Sequence, residues 1–251
     1  MFLPLFAQIL VIFLVLVFAL VLVRQNRRPY FAFLFLTVLF IALIIRRLPL
    51  VFDLHLGLYY NWIGVFLVIP WVLIILWLTP LRGKDIGLTL KHRSGTITPA
   101  IMVTIGIIVF KGIIGVLVNG GQAAGSPPLD AVAVETLLFN ITLAPLTQEL
   151  LHSGLLLSLM IIALGGKKTD QKFDWNRVII LAIILTAFSH GIQFGLIYNA
   201  EFQFNLMAFI FPFIGKLLYA WLRLSTGSLL FPILAFSASN FVVWLTPYLI
   251  N

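Results

Sequence analysis

Eight runs of mostly apolar residues follow one another along the chain, near 3–23, 30–45, 61–80, 98–118, 133–163, 178–199, 205–223 and 228–250. About 20 such residues are what a helix needs to cross a bilayer. The runs therefore predict an all-α polytopic membrane protein of about eight transmembrane helices. Only 10% of the 251 residues are charged, against roughly 25% in soluble domains. No soluble domain or clear repeat interrupts the series, so residues 1–251 read as one integral membrane domain. The absence of cysteine excludes disulfides and thiolate chemistry. The first run has no basic residue before it and is too long for a signal-peptide core, so it reads as a retained span. The fifth run is too long for one straight crossing, and Pro145 offers a place to bend or break it.

The net charge of +8 comes from the loops and does not indicate nucleic acid. Loops after spans one, three, five and seven hold Arg24, Arg27, Arg28, Arg82, Lys84, Lys91, Arg93, Lys167, Lys168, Lys172, Arg177 and Arg223; the even-numbered loops hold only Arg46 and Arg47. The positive-inside rule places the odd-numbered loops in the cytoplasm and both termini outside, in a cytoplasmic (plasma) membrane. The stretch NGGQAAGSPPLD (Asn119–Asp130) reads as an outer loop between the two halves. Two lysines fall inside spans. Snorkelling accounts for Lys216, less than two turns from the inner end. Lys111 sits deeper, where an ion pair with Glu135 or Glu149, a bent span or a polar cavity would each accommodate it.

Polar residues in the second half gather in three stretches. APLTQELLHSG (Ala144–Gly154) places Gln148, Glu149, His152 and Ser153 on about one and a half helical turns. TAFSHGIQFG carries His190, and PILAFSASNFVVW carries Asn240. Counted from the nearest loops, Glu149, His190 and Asn240 lie at comparable depth, where ionisable groups face a bundle interior or cavity. A carboxylate and a neutral imidazole can share the activation of a water, and an amide can donate to an oxyanion. That set suits amide or ester hydrolysis. Glu149 and His152 with His190 also form a weak metal-ligand pattern, and interhelical hydrogen bonding is the purely structural reading. No metal or other cofactor is expected.

These stretches resemble the CPBP (ABI) family of intramembrane proteases, related to the type II CAAX prenyl endopeptidases. The resemblance runs from LTPLRGKDIGLTLK (Leu78–Lys91) through APLTQELLHSG to RLSTGSLLFPILAFSASN (Arg223–Asn240), and it makes 80–251 the catalytic-type core and 1–79 preceding helices. Family members carry EExxxR, FxxxH and HxxxN or HxxxD. The resemblance implies that the first Glu and first His activate water, while the second His and the Asn stabilise the oxyanion. Here Gln148 stands at the first Glu, Glu149 at the second, Ser153 at the Arg and Thr186 at the Phe. His190 keeps the first His, Phe236 replaces the second, and Asn240 is retained. A glutamine amide has no useful basicity, and Glu149 is rotated about 100° from position 148. It rejoins the site only through a rotated or bulged helix, with His152 as the other substitute base. Loss of the Arg is expected to leave Glu149 without a charge partner and protonated.

Three functions fit. One is an intramembrane endopeptidase acting on membrane-embedded or membrane-proximal peptides. The second is an inactive relative that binds such segments, and the third is a small-solute or ion pathway.

Overall fold

The computed structural model describes residues 29–51, 57, 60, 62–119, 129–163, 180, 183–184, 186–187, 192–194, 202–204 and 206–250. The expected first span and His190 lie outside the described residues, as does most of the Gly/Pro-rich loop.

Helix α1 (Pro29–Val51) opens on a proline, which suits a first helical position because its missing N–H would have no partner there. It runs on through Arg46 and Arg47, beyond the expected end at 45. The third expected span is divided into α2 (Trp62–Phe66) and α3 (Val68–Leu78), and the fifth into α5 (Ala131–Ile141) and α6 (Leu143–Glu149). Both breaks fall four residues before a proline, at Phe66 before Pro70 and at Ile141 before Pro145. The ring crowds the carbonyl at that position and supplies no N–H to it. Where α9 (Leu230–Ile250) carries Pro247 inside the helix, the Thr246 hydroxyl donates instead to the Val243 carbonyl (2.7 Å).

After α6 the chain continues as a π-helical turn, Leu150–Leu156, and then α7 (Leu157–Ala163). Every residue from Glu149 to Ala163 is buried, which makes this the central helix. Phe35, Val38 and Leu39 of α1, Val72 and Ile75 of α3, and Leu229 pack on Leu155, Leu159 and Met160. On the other side α8 (Leu206–Thr226) and α9 pack with α4 (Ile97–Asn119) around Ile107, Leu222 and Ala235.

Among the described residues three helical stretches are long and apolar enough to cross a membrane: Ile97–Leu117, Ala131–Ala163 and Leu230–Leu249. Large apolar side chains remain exposed on α3 and α4, among them Leu73, Trp77, Met102, Ile105 and Leu117. Water would not tolerate so continuous an apolar surface, and lipid does. The molecule is an integral membrane protein. Among the described residues its regular structure is helical apart from one short strand pair, β1 (Ile192–Phe194) antiparallel to β2 (Phe202–Phe204). The strand pair interrupts the expected sixth span, 178–199, whose described helical residues stop at Ala187.

At one end of the bundle, Leu81–Arg93 docks against the α8–α9 connection. Leu229 N–H donates to Gly87 O (2.9 Å), Arg93 N–H to Thr226 O (3.1 Å) and Ser228 Oγ to Thr89 O (2.6 Å). Gly87 has φ 88°, and a Cβ there would lie 3.3 Å from the Leu229 backbone nitrogen. Gly227 has φ 77° with nothing nearer than 3.8 Å. Gly87→Ala is therefore expected to lower stability by about 2 kcal/mol and Gly227→Ala by about 1 kcal/mol, since only the former adds crowding to left-handed strain. Thermal unfolding in detergent checks the ranking, and equal losses would contradict it.

Candidate functional site

Glu149 ends α6 at the start of the π turn, and it is this residue, with 0% exposure, that faces the bundle interior. Gln148 is only half-buried. The widened turn that the one-residue shift of the carboxylate requires is thus present immediately after it. The turn packs closely under the Ile86–Gly87 segment because residue 154 is glycine: a Cβ there would meet Ile86 O at 3.2 Å and Leu229 Cδ1 at 3.1 Å.

The expected absence of a charge partner for Glu149 is not found. Its Oε1 accepts from Lys216 Nζ at 2.7 Å, and its Oε2 accepts a short hydrogen bond from Ser153 Oγ. Lys216 comes from α8 and is 6% exposed. It points inward, which corrects the snorkelling assignment. Ser153, at the position expected for an arginine, supplies a hydroxyl donor one turn on, and Lys216 supplies the charge. Spacing along α8 carried the signal, because Lys216, Tyr219, Ala220 and Arg223 recur at helical intervals and all are buried.

Phe236 lies near two ammonium groups. Lys216 lies 5.7 Å and Lys111 4.9 Å from its ring centroid, and Tyr219 stacks on the ring at 5.3 Å. An aromatic face attracts cations, so phenylalanine suits a place beside two lysines. Beyond it, Lys111 Nζ donates to Asn240 Oδ1 (3.3 Å). Glu135, one expected partner of Lys111, instead accepts from Trp62 Nε1 (2.8 Å) and Tyr60 N–H (3.2 Å). Asn240 Nδ2 donates to Asn140 O (2.9 Å), a carbonyl that the break before Pro145 leaves at a helix end. A continuous chain therefore links Ser153, Glu149, Lys216, Phe236, Lys111, Asn240 and Asn140.

Two spaces adjoin this chain. One of about 10 Å³, room for a single water, is lined by His152, Ser153, Thr186 and Lys216. The other, about 340 Å³, lies between α4, α8 and α9, with Phe110, Phe211 and Leu218 on its walls and Lys111, Tyr219 and Asn240 as polar groups. Glu149 does not line it. Glu149 and Asn240 are thus linked through Lys216, Phe236 and Lys111 rather than in direct contact, while His190 lies outside the described residues. As drawn, both Glu149 oxygens and both ends of the Asn240 amide are engaged within the protein. Among the described residues no group of three His, Cys, Asp or Glu side chains is placed to hold a metal.

No curated protein and no solved structure matches the chain. Residues 131–242 match the family model of type II CAAX prenyl endopeptidase Rce1-like proteins. That interval begins at the kinked central helix and closes just after Asn240, so every candidate residue from Gln148 to Asn240 lies within it. Over this interval, a little under half of the chain, the protein is similar to the type II CAAX prenyl endopeptidase Rce1-like proteins.

Proposed function

We propose that this protein is a CAAX-protease-like membrane protein that captures an apolar segment of a membrane peptide or protein without cleaving it. Engagement of the reactive groups within the protein carries this reading. A carboxylate whose two oxygens already accept from Lys216 and Ser153 is a weakened base toward water. An amide that donates to Asn140 O is turned toward that carbonyl and has one N–H left for an oxyanion. The 340 Å³ space beside them is apolar with a few polar groups at one place, the pattern of a binding cleft. Gln148, Phe236 and Ser153 then belong to a site rebuilt around the two lysines.

The endopeptidase reading is the second, favoured by the family match and by the inward-facing Glu149. It assigns water activation to Glu149 or His152 with His190, and it requires Lys216 to release the carboxylate. In either case the odd-numbered loops are assigned to the cytoplasm. The meeting of Leu81–Arg93 with Arg223–Gly227 supports putting those two loops on one side.

Purified protein incubated with a panel of membrane-segment and prenylated peptides is expected to retain peptide and release no fragments. Lys111→Met should weaken retention about tenfold, the loss of one buried charged contact. Fragments that disappear in both Glu149→Ala and His190→Ala would establish the endopeptidase and overturn capture without turnover.

A further inference from the structure

We infer that the end of the bundle where Leu81–Arg93 meets the end of α8 is a binding site for a phosphate-bearing anion at lipid-headgroup depth, separate from the Glu149 site. A cavity of about 400 Å³ lies there. Lys84, Lys91, Arg93 and Arg223 line it, with Asp85 the one carboxylate among its described lining residues. Among the described residues the lining is thus mainly cationic, which gives a concave site a positive field.

Arg223 is the decisive side chain. It is 8% exposed, and its Nη2 donates to Asp85 O (2.5 Å) and Ser158 Oγ (2.7 Å). Both partners are formally neutral, and its Nε is buried against Gly87 without a hydrogen-bond partner among the described residues. A guanidinium fixed in this way brings its charge to the cavity wall in a set orientation, which favours an oxyanion. His92, also on the cavity wall, has a buried Nδ1 without a partner among the described residues. Lys84 and Lys91 are exposed and placed to close over an anion from the solvent side.

Depth identifies the class of ligand. The cavity sits where α4 begins and where α7 and α8 end, the level of phospholipid headgroups. Leu81, Ile161, Ile162 and Leu224 complete the wall, apolar surface that suits the first carbons of a lipid. A lipid phosphodiester and a free phosphate ester share the recognised group, and experiment separates them.

Full-length protein would be placed in nanodiscs of phosphatidylcholine containing phosphatidylglycerol, and retained lipid counted after detergent extraction. In parallel, inorganic phosphate and pyrophosphate would be titrated in detergent by thermal shift. Retention of phosphatidylglycerol over phosphatidylcholine, reduced at least tenfold in Lys84→Gln/Lys91→Gln, is expected and identifies a lipid phosphate. Stabilisation by pyrophosphate without lipid retention identifies a soluble phosphate instead, provided the same double variant abolishes it. Because these lysines are exposed, the double variant is expected to fold. Neither response, or responses unchanged in that variant, overturns the site. Peptide capture is read in a separate assay at Lys111, so failure of one result leaves the other standing.

Discussion

Lys216→Met is expected to destabilise the protein by about 3–5 kcal/mol, the usual consequence of removing one partner of a buried ion pair. Methionine fills nearly the same length of apolar space, so packing is largely preserved and the loss isolates the charge. Glu149 would be left at 0% exposure with Ser153 as its remaining hydrogen-bond donor among the contacts described. Lys216→Met combined with Glu149→Leu should recover most of the loss, because replacing both charges of such a pair by apolar groups is often close to neutral. Unfolding of the two single variants and the double in detergent gives the coupling energy directly. A single-variant loss under about 1 kcal/mol would mean that the ammonium is not what holds the carboxylate, and the account of the site would fail at its centre.

Apolar run length made the membrane-protein class legible, since the bilayer sets that length whatever the helices pack against. Pro145 was legible as a break because its effect is local. The π turn after Glu149 could be anticipated only as a requirement, by placing the sequence against the family's spacing. The pairing of Ile192–Phe194 with Phe202–Phe204 escaped for the opposite reason: length counting treats any apolar stretch as a span and does not see backbone pairing. Lys216 was misplaced because distance to the helix end was weighed without the face it occupies. Its spacing with Tyr219 and Arg223 put three polar side chains on one stripe, and that stripe is buried. Partner choice was harder still. Glu149 pairs with a residue 67 positions away, and only the packing of α8 against the π turn decides it.

Asn240→Ala is the variant that separates the two readings of the site. In the structure the amide links three helices, accepting from Lys111 on α4 and donating to Asn140 O on α5. Alanine would leave an ammonium and a carbonyl without this partner, so stability is expected to fall by about 2–4 kcal/mol. Peptide retention should fall with it, because Lys111 would no longer be held at the cavity wall. Asn240→Asp keeps an acceptor for Lys111 and removes only the donor to Asn140 O, so its loss should be smaller. A side chain kept for an oxyanion predicts the reverse pattern. Alanine would then change stability by less than about 0.5 kcal/mol and reduce turnover about 10²–10³-fold. The same contrast applies to restoring the family's residues. In Gln148→Glu with Phe236→His, the new imidazole would stand close to both Lys111 and Lys216 in place of a ring that attracts both. The double change is therefore expected to destabilise the bundle without producing cleavage, unless the lysines are replaced as well. Efficient cleavage by that variant with both lysines intact would show that the charge network does not suppress hydrolysis.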